Sequence, residues 1–224
     1  MSLSQSFAEA AAAPRAAAER AGLKTVRLWL FVVAALIFVM VIVGGATRLT
    51  ESGLSITEWK PVTGVIPPLS EAAWQSAFAA YKQIPQYSQL FPDMSLSEFK
   101  SIFFWEWSHR LLARLIGAAF ILPLVWFWRT GLIRGALGRQ MLVPIALLAL
   151  EPIVGWWMVA SGLSERVEVS QYRLAAHLLI ATATFGALIW IAVGLSERKR
   201  EPASAVFKAT AAVLALLVFC QIGF

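Results

Sequence analysis

Five apolar blocks alternate with polar segments along the chain. The first, 28–46, is uninterrupted by charge and ends in Gly44-Gly45-Ala46. The second ends at Trp128 and extends backwards as a helix to Ser95, where Ser95-Leu96-Ser97-Glu98 has the spacing of a capping box. The third, 141–159, is interrupted by Glu151-Pro152, and the fourth covers 172–195. The fifth starts at 209 and runs to Phe224, which is short for a span and reads as a helix cut inside its length. The first four each approach the roughly 20 residues that a bilayer crossing needs. The pattern predicts an all-α fold: a polytopic membrane bundle, with a first four-helix bundle over 27–196, a linker over 197–208 and the start of a further helix at 209–224. Pro123 and Pro152 predict bends in the second and third helices.

The polar segments differ in kind. Residues 1–26 are Ala-rich and lack an apolar core, and they read as a disordered tail rather than a cleaved leader. Residues 47–100 form a long loop punctuated by Ser52-Gly53, Lys60-Pro61, Thr63-Gly64, Pro67-Pro68 and Ile84-Pro85. Within it, 69–81 predicts a short amphipathic helix with Trp74, Phe78 and Tyr81 on one side. A loop of this length is usually a lid or a binding surface. Its four basic residues stand against five acidic ones. The tail, the 129–139 loop and the 197–208 linker are instead rich in Lys and Arg. The positive-inside rule then puts the tail and linker in the cytoplasm and loop 47–100 outside.

Composition agrees with a membrane protein. The 224 residues are 59% hydrophobic and 14% charged, with a mean hydropathy of +0.70; soluble domains are nearer half apolar and a quarter charged. Ten tryptophans suit interfacial belts. The net charge of +6 belongs to loops against lipid headgroups and does not indicate nucleic acid. The single cysteine, Cys220, excludes an intrachain disulfide.

The chain has two histidines, and their positions match. His109 stands twenty residues before Arg129, and His177 twenty before Glu197. The second and fourth helices run in the same direction, so both imidazoles should lie at one depth near the outer interface. Ala113 and Ala181 follow one turn deeper. Two imidazoles across an apolar, small-residue gap suit the iron of a haem. Arg48, Arg110 and Arg173 near the aqueous rim suit its propionates, because guanidinium pairs with carboxylate bidentately. Each has a plainer reading: an interfacial His that only hydrogen-bonds, and arginines that snorkel. Zinc lacks a third His or Cys nearby.

Two acids complete the set. Glu106 lies one turn before both His109 and Arg110. It is either half of an i,i+4 ion pair with Arg110 or a carboxylate beside the reacting edge of a substrate. Glu151 sits in mid-span, where an acid is a candidate for function, unless it is protonated or paired with Arg114.

At these residues the chain resembles the haem A synthase family, in the form found in alphaproteobacteria and mitochondria. The resemblance rests on Val43–Ser55 with its Gly44-Gly45-Ala46-Thr47-Arg48 core, on Glu58-Trp59-Lys60-Pro61, on Phe104-Trp105-Glu106-Trp107-Ser108-His109-Arg110, on Gly155–Leu163, and on Val169–Leu178 with Arg173 and His177. It implies an eight-helix protein of two similar four-helix bundles, of which this chain is the N-terminal half. It implies oxidation of a methyl group of haem O to the formyl group of haem A, for cytochrome c oxidase. The substrate haem would lie between His109 and His177 with Glu106 catalytic, and a haem b cofactor would sit in the second bundle. It also implies a bacterial inner-membrane location, with haem O synthase or a second copy of the chain as partners. Two residues depart from the pattern. The outer loop lacks the cysteine pair of some relatives, and Glu151 stands where a neutral amide is expected. Paired histidines alone would equally suit a membrane b-type cytochrome or haem carrier.

Overall fold

The structure is a computed structural model, and it describes residues 3–196 and 202–223. Residues 197–201, which fall in the predicted linker, lie outside the described set, as do Met1, Ser2 and Phe224. The described residues are helical without strands: α1 (Leu3–Leu49), α2 (Glu71–Tyr81), α3 (Pro85–Leu90), α4 (Leu96–Arg129), α5 (Gly135–Ala160), α6 (Gln171–Gly194) and α7 (Ala205–Gly223). Five of them, α1, α4, α5, α6 and α7, are long and apolar enough to cross a membrane. The chain is a multi-pass membrane protein.

The spans fall where the hydrophobic pattern puts them, with one correction. The segment 1–26 was expected to be disordered, yet α1 is already helical from Leu3 and runs without a break into the first span. Alanine has the highest helix propensity, and the packing of the helix reaches back into this segment: Val26 is fully buried, and Gly22 lies against the side chain of Leu132. The capping box of α4 forms as expected. Ser95 Oγ accepts from the Glu98 amide at 3.3 Å, and Glu98 Oε2 accepts from the Ser95 amide at 2.7 Å. The loop helix α2 is capped by Ser70, whose Oγ accepts from the Ala73 amide at 3.2 Å.

Pro123 lies inside α4. A helical proline has no N–H for the carbonyl four residues back, here that of Ala119. That carbonyl accepts the indole N–H of Trp29 from α1 at 2.8 Å. Trp29 also stacks on Phe120, with ring centroids 5.4 Å apart, and touches Phe127 at 5.3 Å. One side chain therefore satisfies an orphaned carbonyl where no water is at hand and joins α1 to α4.

Helix α1 packs against both α4 and α6, and α6 packs against α5 and α7. Two cores form at different depths. One lies toward the end opposite the long loop and contains Val26, Leu30, Val33, Ile37, Ile116, Phe120, Leu188 and Ile191. The other lies under the loop, where α2 folds onto the start of α4 through Phe78, Tyr81, Phe99 and Phe103, joined by Leu54 and Val159. Between them is a belt in which none of the four helices buries a residue: 38–46 of α1, 107–115 of α4, 145–158 of α5 and 171–183 of α6. At this level the helices meet through part-buried side chains only.

Candidate functional site

Both histidines lie in the belt, each on one helix and against a glycine of the next. A Cβ on Gly44 of α1 would stand 3.2 Å from His109 Nε2, and one on Gly155 of α5 would stand 3.2 Å from His177 Cε1. Two neighbouring backbones are thus left bare where the rings lie. His109 has no hydrogen-bond partner among the described residues. His177 Nδ1 stands 2.8 Å from Oε2 of Glu151. The contact lacks hydrogen-bond geometry, however, and neither Nδ1 nor Glu151 Oε1, both buried, has a formed hydrogen bond among the described residues. The sequence also allowed Arg114 as a partner of Glu151. That pairing does not form, because Arg114 donates to the carbonyls of Pro61 at 2.8 Å and Lys60 at 2.9 Å.

Glu106 lies just above the belt and is 3% exposed. Its Oε2 accepts from Ser55 Oγ and from the Ile56 amide, each at 2.7 Å. Its Oε1 accepts from Arg110 Nε at 3.1 Å and Nη2 at 2.6 Å. The i,i+4 pair is present, and the carboxylate is satisfied on all sides. Arg110 also donates to the carbonyls of Ile56 at 2.9 Å and Glu58 at 3.2 Å. The loop is thereby strapped along α4: Ser55 and Ile56 lie beside Glu106, Glu58 beside Arg110, and Lys60 and Pro61 beside Arg114 two turns deeper. A 3-10 turn, Thr63–Val65, brings the chain back, and Trp107 Nε1 donates to the Val65 carbonyl at 3.1 Å. Peptide groups entered at this depth must be satisfied by protein, and the two arginines and Glu106 do so. The strap reaches across to α5 through Trp59, whose ring centroid is 5.1 Å from that of Trp156.

The three arginines nominated for propionates are all at this end of the bundle. Arg48 is half exposed and stands 3.4 Å from Glu168, a contact of little strength in water. Arg173 donates to the Trp157 carbonyl at 2.7 Å and lies 4.5 Å over its ring, leaving donors free. Arg110 is engaged by Glu106 and the strap, so Arg48 and Arg173 are the two with spare capacity. Above them Tyr81, fully buried, donates to Gln86 Oε1 at 3.0 Å. Burial first, then the nearby carboxylates of Glu106 and Glu51, raise its phenol above the usual value.

Haem chemistry fits the residues present. The belt offers two imidazoles, one without any partner, bare glycine backbones beside both rings, and apolar walls. Among the described residues no group of three or more His, Cys, Asp or Glu could hold a metal ion by itself. His109 and His177 would be the ligands, and Arg48 and Arg173 the partners at the rim. Sequence reasoning missed the roles of Gly44 and Gly155, the Ser55–Glu106 bond and the Glu151–His177 contact. The spacing of Glu151 and Gly155, four residues apart on one helical stripe, was the available signal for the last.

Fold and site together define a class: a multi-pass helical membrane protein with paired histidines in an open belt beneath a strapped outer loop. The chain belongs to the COX15-CtaA family, described as cytochrome oxidase assembly protein, whose pattern matches residues 27–224. It is 60% identical over 200 residues to the haem A synthase of Bradyrhizobium diazoefficiens, covering 89% of this chain and 55% of that protein. It is 56% identical over 211 residues to the haem A synthase of Rhodopseudomonas palustris strain BisA53, covering 94% and 58%. With that of Beijerinckia indica it shares 56% over 205 residues, covering 90% and 57%. The chain spans a little over half the length of these curated relatives. No solved structure matches it.

Proposed function

We propose that the protein to which this chain contributes is a haem A synthase, an oxidoreductase acting on a C–H bond, which oxidises the methyl group of haem O to the formyl group of haem A. In this reading water supplies the oxygen, and the electrons and protons leave to an external acceptor. The observation that carries it is the placing of His109 and His177 in the belt, each against the bare backbone of a glycine on a neighbouring helix, in a chain whose relatives are haem A synthases. His109 and His177 hold the substrate iron, and Arg48 and Arg173 hold its propionates. Glu106 and Arg110 fix the strap that covers the reacting edge and keeps water ordered there. A haem b cofactor in a second, similar four-helix bundle is what the resemblance to the family implies. The first bundle is 27–196, the tail and linker face the cytoplasm, and the membrane is the bacterial inner membrane. Haem O synthase and a second copy of the chain are the partners this chemistry invites.

One observation favours a second reading. A carboxylate with every lone pair engaged is suited to holding structure, as Glu106 would in a b-type cytochrome or haem carrier that does no chemistry on the ring. Membranes containing the protein, given haem O and an electron acceptor, separate the two. The synthase reading expects haem A by mass in the wild type and a substrate haem that stays bound but unconverted in Glu106→Gln. Unmodified haem O throughout the wild-type time course would leave only the carrier.

A further inference from the structure

We infer that Glu151 is a positioning residue that sets the orientation and electron density of the His177 ring toward the substrate iron. The inference rests on the proposed haem site and concerns an acid which that site does not otherwise use. On α5, Glu151 and Gly155 are one turn apart on one stripe, and both face His177 of α6. The carboxylate lies at Nδ1, 2.8 Å away. The bare α-carbon of Gly155 lies along the ring edge, where a Cβ would stand 3.2 Å from Cε1, 3.6 Å from Nε2 and 3.7 Å from Nδ1. Together they bracket the imidazole, with the acid within reach of Nδ1 and Nε2 left as the nitrogen for the iron.

Independent features agree. Among the described residues Glu151 has no Lys or Arg partner: Arg114, the deepest charge of α4, is taken by the Lys60 and Pro61 carbonyls. Its Oε1 is buried without a partner among the described residues, which is costly for a group kept only for packing. A histidine that ligates a metal almost always gives its other ring nitrogen to a carboxylate, carbonyl or water, and the partner raises its basicity. The chain makes the two histidines unequal in this respect. His109 has no such acid, so the His177 side of the iron is the electron-rich one. A carboxylate partner just beyond the ligand makes the imidazole a stronger donor, which favours the ferric over the ferrous state and lowers the potential of the bound haem.

The test uses the protein purified in detergent micelles and titrated with hemin at the Soret band, followed by a redox titration. The component of the spectrum that disappears in His177→Ala is assigned to this site. Glu151→Gln keeps size and an acceptor but removes the charge, so it should retain the low-spin spectrum and shift that component to a more positive potential. Glu151→Leu removes the acceptor and should weaken hemin binding roughly 10–100-fold, the usual effect of losing such a partner. An unshifted potential in Glu151→Gln together with unchanged affinity in Glu151→Leu would overturn the role of Glu151 and leave the haem site standing. If His177→Ala removes no component at all, it is the haem site itself that fails.

Discussion

At the scale of single residues, charge and glycine decide the site. Glu106 and Arg110 are buried together and hold the strap. Glu106→Ala leaves a part-buried guanidinium and the Ser55 and Ile56 donors unpaired, a loss on the order of 3–5 kcal/mol for a broken buried pair. Thermal unfolding in micelles, with limited proteolysis near residue 60, should show a lower midpoint and early cleavage of the strap. Gly44→Ala and Gly155→Ala place a Cβ 3.2 Å from an imidazole, so each ring must shift. Hemin affinity should fall about tenfold, as for other changes just outside the ligands. Gly117→Ala has nothing within 4 Å and is the control that keeps affinity and gains about 0.5–1 kcal/mol of helix stability. Tyr81 gives a pH dependence. Its folded-state pKa is raised above the ordinary 10.0, so its contribution is complete below pH 10 and is lost as pH rises beyond it. Unfolding midpoints should fall between pH 10 and 12 in the wild type and lose part of that slope in Tyr81→Phe. The histidines, Glu106 and the arginines were legible in the sequence because each is a charged or titratable group at an interface. The Glu151–His177 contact was not, since it depends on which faces of α5 and α6 meet, and single-helix periodicity does not give their mutual rotation.

At the scale of elements, hydropathy placed the C-terminal ends of α1, α4, α5 and α6 to within a few residues, and the Ser95–Glu98 capping box fixed the start of α4. The tail was misread because its lack of a hydrophobic core says nothing against an alanine helix continuous with a span, with Val26 and Gly22 already in contact. Helix α3 was missed: at six residues it has no period to read, and Pro85 at its first turn looked like a turn signal. The most specific inter-helix device is Trp29 capping the carbonyl that Pro123 frees. Trp29→Phe keeps the ring and orphans that carbonyl, costing about 1–3 kcal/mol. Pro123→Ala restores an amide for Ala119, so the double variant should recover much of the loss. A double-mutant cycle by thermal unfolding measures this coupling, and additive effects would show that the indole does not act through the freed carbonyl.

At the scale of the whole molecule, the bundle has two cores and, between them, a belt in which no residue is fully buried, roofed by a strap from α4 to α5. The level without fully buried residues is also the level of both imidazoles, and the proposed function turns on that coincidence: a haem held there by His109 and His177. Only the depth match between the histidines foretold this level, because an absence of packing leaves no mark in a sequence. The most direct measurement is the pigment that co-purifies with the protein, read by absorption and by mass in the wild type and in the His109→Ala, His177→Ala double variant. The account predicts haem O, with a fraction oxidised at one methyl, in the wild type and its disappearance in the double variant. A pigment of unchanged amount and spectrum after both histidines are removed would contradict it.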